Sequence, residues 1–236
     1  MHPFFIVKYL FLMLPLLAFS NNTEIGKKIW KNECGGKIDG LVSWNVREEC
    51  ASLGIGHFIW YPEGSSQKFD AMFPQYLAFL KEKRISIPDF LLSFEHAPWK
   101  SREAFLADEK IALLRDWLFN TIDLQTEFII QRLQITLKKI LLKSPELKTK
   151  VEYLCQSSRG LFALIDYLNF KGEGLSDLEK YQGKGWGLYQ VLLHMHGNEI
   201  DHFKESALTR LRERISGAPN DETHWFQGWK NRIQGY

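Results

Sequence analysis

Residues 51–60 read Ala51-Ser-Leu-Gly-Ile-Gly-His-Phe-Ile-Trp60. Continued through Tyr61, this stretch is a β-rich run, part of the one convincing strand region of the chain. Just upstream, Gly40-Leu-Val-Ser-Trp44 is a second β-prone run, joined to the first by a polar connector, and Pro62-Glu-Gly-Ser-Ser66 closes the region as a turn. Outward from this β segment, about residues 37–62, the chain reads as helix. Thr23 to Glu33 carries Ile25, Ile29 and Trp30 on one face, with Thr23 as N-cap and Gly35-Gly36 as a stop. Helical spacing returns at Phe69–Lys83 and over Ser101–Lys143, where Ser101 is a candidate cap and Asn120-Thr121 a candidate break. It continues from Pro145 to Gln156, over Gly160–Asn169 and over Leu188–Ile215, and the chain closes on Trp225–Tyr236. The expected class is α+β and mostly helical, with a small N-terminal β-hairpin lobe and a larger helical lobe. No repeat or Pro/Ser-rich linker divides residues 21–236, so one domain is expected.

The composition bounds the function. The chain has 236 residues, 45% hydrophobic and 14% aromatic, enough to build a core and incompatible with a disordered chain. A formal charge of +2 lacks the electrostatic footprint of a nucleic-acid binder. The first twenty residues, MHPFFIVKYLFLMLPLLAFS, hold one charge, Lys8, and a short apolar run before small residues Ala18 and Ser20. That is the pattern of a cleaved secretory signal, too short for a comfortable membrane span. The expected product is secreted or periplasmic, with no stable membrane insertion after cleavage. Export permits a Cys34–Cys50 disulfide. Three reduced, buried thiols, Cys155 included, fit the odd count equally. His194-Met-His196 with Glu199, Asp201 and His202 matches no zinc spacing, so neither metal nor cofactor is expected. Gly183-Lys-Gly-Trp-Gly187 lacks the preceding strand of a phosphate loop and reads as a loop beside the candidate site, with ligand contact left open.

Glu33 is the residue that suggests chemistry. It falls at the C-terminal end of the first helix, where the helix dipole and apolar neighbours favour a carboxyl that keeps its proton. Such a group suits a general acid at a glycosidic oxygen. Glycoside hydrolysis generally needs a second carboxyl, and the hairpin offers Glu48 and Glu49, with Ser52 beside them.

Glu33-Cys-Gly-Gly36 together with Ser52-Leu-Gly-Ile-Gly-His57 resembles the active-site segment of phage-type lysozymes. In that family a helix ends in a catalytic Glu, and a hairpin carries a Thr-x-Gly-x-Gly-His run. Ala163 to Gly174 is similar to the family's helix ending in Phe-Asn-x-Gly-x-Gly, and Gln227-Gly-Trp-Lys-Asn-Arg232 to its C-terminal Gly-Trp-x-Asn-Arg. The resemblance implies a lysozyme-like fold with a cleft between the lobes and a peptidoglycan glycan strand as partner. It implies Glu33 as proton donor and Ser52 as the group that positions water. The family's catalytic Asp has no clear counterpart, which leaves Glu48 as the nearest acid and Asp39 as the next. His57 is expected to brace the hairpin at the substrate, and Asn169 to contact the substrate. Trp44 and Trp60 are expected to line a sugar cleft, and Trp30 to fill the core. Two further readings stay open on the same fold: a lytic transglycosylase working with one acid, and a non-catalytic peptidoglycan-binding or envelope-interaction protein.

Overall fold

The computed structural model describes residues 22–66, 70–92 and 95–236. Residues 1–20, read above as an export signal, lie outside the described residues. The first helix, α1 (Asn22–Cys34), buries Ile25 and Ile29 and leaves its lysines outward. It packs along α6 (Ile122–Lys143), the longest helix. A single 3-10 turn then leads into three short antiparallel strands in the order β1 (Val42–Ser43), β2 (Ala51–Leu53) and β3 (Phe58–Trp60). Ser52 pairs with Ser43 on one side and with Ile59 on the other. The sequence pattern is therefore met, as a three-stranded meander.

The turn between β2 and β3 is fixed from outside the sheet. Gly54 takes a φ of 74°, and the backbone N–H of Ile55 donates to Gln125 Oε1 at 2.8 Å. Gln125 is wholly buried, and its Nε2 donates back to Leu118 O at 2.6 Å. It thus joins α6 to α5 (Lys110–Asn120) across the break at Thr121 and holds the hairpin turn at the same time. The break at Asn120-Thr121 is legible in sequence because Thr121 bonds backward to Trp117 O, competing with the helix ladder.

The region after the hairpin covers it. α2 (Met72–Glu82) lies on β3, with Phe73 4.8 Å from Trp60 between ring centres. After α3 (Asp89–Leu92) comes α4 (Arg102–Ala107), whose N-terminus is capped by Ser101 Oγ accepting from Ala104 N–H. Phe105 of α4 meets Trp44 at 5.7 Å and Trp99 at 4.9 Å. The face that carries Phe58 and Trp60 is buried in consequence, while Ser43 and Ile59 on the other face stay half-buried.

The second half is a helical lobe. α7 (Lys148–Cys155) leads to α8 (Ser158–Lys171), which is buried without interruption from Gly160 to Leu168. A β-ribbon of β4 (Lys180–Tyr181) and β5 (Lys184–Gly185) precedes α9 (Leu188–His194), α10 (Ile200–Gly217) and α11 (Thr223–Gln234). One hydrophobic core runs from Ile25 to Tyr236. The two Gly-rich stretches lock together: Leu188 N–H donates to Gly172 O, and Gln190 Nε2 to Gly174 O at 2.7 Å. No disulfide joins Cys34 to Cys50; both are buried, as is Cys155. Burial, with Glu33 adding to it, pushes the Cys34 thiol up to about 12. In the His194 region, His202 pairs with Glu199 at 2.8 Å and His194 Nδ1 meets Gln190 O.

At Gly187 any β-carbon would collide with the backbone nitrogen of Gly174. Gly187→Ala is expected to cost about 1–3 kcal/mol in urea denaturation, because the backbone of one stretch must move. A change within 0.3 kcal/mol would show that the contact is soft.

Candidate active site

Glu33 sits on the last turn of α1 with its side chain 13% exposed. Three distant parts of the chain meet it. Arg232 Nη2, from α11, donates to Glu33 Oε1 at 2.5 Å. Asn169 Nδ2, from the end of α8, donates to the same oxygen at 3.2 Å and to the carbonyl of Gly56 at 3.2 Å. Oε2 lies 3.6 Å from His57 Nδ1. His57 closes the β2–β3 turn in the left-handed region, at φ 47°, a conformation that costs energy for a residue with a β-carbon. Both Glu33 oxygens are therefore held in place, one by donors and the other beside an imidazole.

Behind Arg232 is Asp166, fully buried in the apolar run of α8. It takes Arg232 Nε on Oδ2 at 2.7 Å and Nη2 on Oδ1 at 2.8 Å. The Tyr236 hydroxyl donates to Oδ2 at 2.7 Å, and Asn32 Nδ2 to Oδ1 at 3.2 Å. Burial works against the charge of Arg232, but the Glu33 and Asp166 carboxylates more than offset it and raise its pKa. The guanidinium also lies over the Phe170 ring at 4.2 Å. Arg232 is thus a fixed cation that orients Glu33, and Asp166 is the group that fixes Arg232.

A cavity of about 430 Å³ opens beside Glu33. His57 and Asn169, two of the three contacts of Glu33, lie on its wall; Glu33 itself does not. The wall continues through Phe170, Lys171, Trp186 and Arg214, and through Arg132, Asp70, Glu173 and Glu179. Glu173 is tied to Lys139 and to Thr136 Oγ1. Burial raises the pKa of Glu179, opposed by N–H donors from Gly174 and Ser176. Burial, with Arg214 adding to it, holds Lys171 well below the usual range of an amine.

Several expected site residues lie elsewhere. Trp44 and Trp60 are 6% and 1% exposed, in the aromatic cluster with Phe105, Phe73 and Trp99, so neither offers a face to a sugar. The reason is the cover of α2 and α4. Trp30 packs edge-on to Phe119 and donates to Lys37 O. Ser52 is 5% exposed in the middle strand and does not line the cavity, so it is not placed to position a water there. Glu48 is exposed on the β1–β2 connector, where it accepts from Asn45 at 2.9 Å, and does not line the cavity either. Glu49 is exposed on the same connector, and Asp39 faces Arg115 at 3.4 Å. Arg232, Asp166, Lys171 and Arg132 were not singled out from the sequence. Asp166 had a signal: a lone acid inside Leu164-Ile-Asp-Tyr-Leu168 must find a counter-charge when that helix is buried.

Comparison with protein-family models, with curated proteins and with solved structures gives no match.

Removing Asp166 strands a buried guanidinium and the Tyr236 hydroxyl. Asp166→Ala is expected to lose about 3–5 kcal/mol of stability in chemical denaturation, against under 1 for a surface acid such as Asp201. A second expectation concerns pH. The folded state holds the amine of Lys171 below its ordinary value of 10.5, so the unfolded chain binds the extra proton as pH rises toward 10.5. The penalty for the buried ammonium is full at low pH and relieved across that window. Lys171→Met is expected to be more stable than wild type at pH 6, with the gap narrowing toward pH 10; a gap constant with pH would contradict the assignment.

Proposed function

We propose that the chain is an exported, lysozyme-like glycosidase that cuts the glycan strand of peptidoglycan by general acid catalysis at Glu33. One observation carries this reading. Three segments that resemble the phage-type lysozyme family, separated by 136 and 199 positions from Glu33, converge on its single carboxylate. Chance similarity in sequence gives no reason for such convergence in space.

In this reading Glu33 Oε2 is the atom that delivers the proton. Arg232 and Asn169 hold Oε1, which fixes the plane of the carboxyl and aims Oε2 at a glycosidic oxygen on the His57 side. As the carbon–oxygen bond breaks, the proton moves to the leaving oxygen, and the new carboxylate charge is met by Arg232 already in contact; water then bonds to the anomeric carbon and gives up a proton that restores the Glu33 acid. His57 is a positioning residue, held by the turn that Gln125 anchors. The lysozyme-like arrangement of a small sheet and a helical lobe, with the cavity at their junction, belongs to the same proposal.

A second reading is favoured by a specific observation: Glu48 and Asp39 have partners of their own away from the cavity. Glu33 then acts alone among the acids expected from the sequence. Glu33 protonates the leaving oxygen, the substrate's own hydroxyl closes onto the anomeric carbon and returns its proton to the Glu33 carboxylate, and an anhydro end is left, as in a lytic transglycosylase.

Glu33→Gln keeps the shape of the side chain and removes the proton donor. It is expected to abolish clearing of a purified cell-wall suspension, a loss of at least a hundredfold, while thermal stability changes by a few degrees. Clearing at the wild-type rate would sink the assignment. Mass spectrometry of the wild-type digest separates the two readings, since only the second leaves anhydro ends.

A further inference from the structure

Two cations face the cavity with no counter-charge in contact. Lys171 is 9% exposed, and its ammonium rests 3.5 Å from the centre of the Trp229 ring and 4.0 Å from that of Phe170. Among the described residues no carboxylate or carbonyl accepts a hydrogen bond from it. Arg132, half-buried on α6, likewise makes no hydrogen bond or ion pair among the described residues; Glu173, Asp70 and Glu179 act on it only at longer range. Their neighbours differ. Arg214 is held by Glu222 at 2.7 Å, Arg232 by Glu33 and Asp166, and Lys139 by Glu173 at 3.0 Å.

A buried or half-buried cation without an anion is costly, and two on one wall call for a common cause. A guanidinium fork takes a carboxylate in two parallel hydrogen bonds, and an ammonium adds a point charge. Glu173 and Glu179 are engaged with the protein, at Lys139 and at Gly174 N–H, and Asp70 is exposed. Carboxylates on the lining repel further negative charge, so a single negative group suits the cavity better than a polyanion.

We propose that this cavity is a carboxylate subsite, in which Arg132 and Lys171 bind an acidic group carried by the glycan or by a peptide attached to it. The proposal rests on the glycosidase reading for its ligand class. Since His57 and Asn169 lie on the same wall, the acidic group belongs to the part of the substrate next to the bond that Glu33 serves.

The test is binding without turnover. Wild-type protein is titrated with three product-sized disaccharides of N-acetylglucosamine and N-acetylmuramic acid, followed by tryptophan fluorescence and calorimetry. The first has a free lactyl carboxylate, the second carries a short acidic peptide on that arm, and the third carries the same peptide with every carboxyl amidated. At least one acidic ligand is expected to bind about tenfold or more tightly than the amidated one, the size of one charge-assisted pair. Preference for the first assigns the carboxylate to the sugar; preference confined to the second assigns it to the peptide. The gap is expected to close in Arg132→Gln and in Lys171→Met. Should Lys171→Met fail to fold, protection of the wild-type Lys171 amine from acylation by the acidic ligand alone gives the same answer. Equal binding of all three, no binding of any, or a preference that survives both substitutions overturns the proposal. Because no bond is cut, this outcome is independent of whether Glu33→Gln clears cell walls.

Discussion

Arg232 stands between two carboxylates, and the geometry of the site depends on it. Its Nε and Nη2 hold Asp166, and Nη2 also reaches Glu33. Asp166 is in the middle of α8, Glu33 ends α1 and Arg232 lies in α11, so one guanidinium joins three helices. The ion pairs are worth little net stability once desolvation is counted. Their contribution is directional: a buried, fully hydrogen-bonded acid sets the plane of the guanidinium, which sets the plane of the Glu33 carboxyl. Tyr236 and Asn32 occupy lone pairs on Asp166 that Arg232 leaves, so Asp166 has few alternatives.

The same logic explains why the hairpin can carry a left-handed histidine. The β2–β3 turn is held by Gln125 from below and by Asn169 on Gly56 from the side. A three-stranded sheet this short is marginal by itself. Its aromatic cover, Trp60 on Phe73 and Trp44 on Phe105, gives it a rigid base. The helices between residues 72 and 107 therefore act on the site indirectly, by stiffening the sheet whose turn presents His57.

Much of this was legible in the sequence where the signal is local. The start and stop of α1, the Ser101 cap, the break at Thr121 and the β-prone runs rest on propensities and caps within a few residues. Glu33, His57 and Asn169 were found through motif likeness, and the structure brings all three together. Trp44 and Trp60 were misplaced because a tryptophan on a strand has the same signature whether its face meets sugar or α2 and α4. Glu48 and Ser52 were chosen by proximity along the chain, which says little when the partners of Glu33 come from residues 169 and 232. Asp166 and Lys171 share a different cause. Both are charged residues in an apolar helix, and sequence alone shows that they need compensation without showing from where.

The contrast between those two residues is informative. Asp166 is met by four hydrogen bonds, which is what buried charge requires. Lys171 sits five residues later on the same helix, nearly as buried, with aromatic faces and two guanidinium neighbours but no acid in contact. A fold that satisfies one charge so completely has the means to satisfy the other, and Arg132, lining the same cavity, repeats the omission. Polar groups left without partners cluster where a protein meets something else, because a ligand can complete what the chain does not. A depressed amine pKa is the thermodynamic mark of the same vacancy: an arriving carboxylate regains the stability that burial removes. Fixed charges that hold Glu33 and unmatched charges that face the cavity are thus two parts of one arrangement, the first satisfied within the fold and the second, as proposed, by an entering carboxylate.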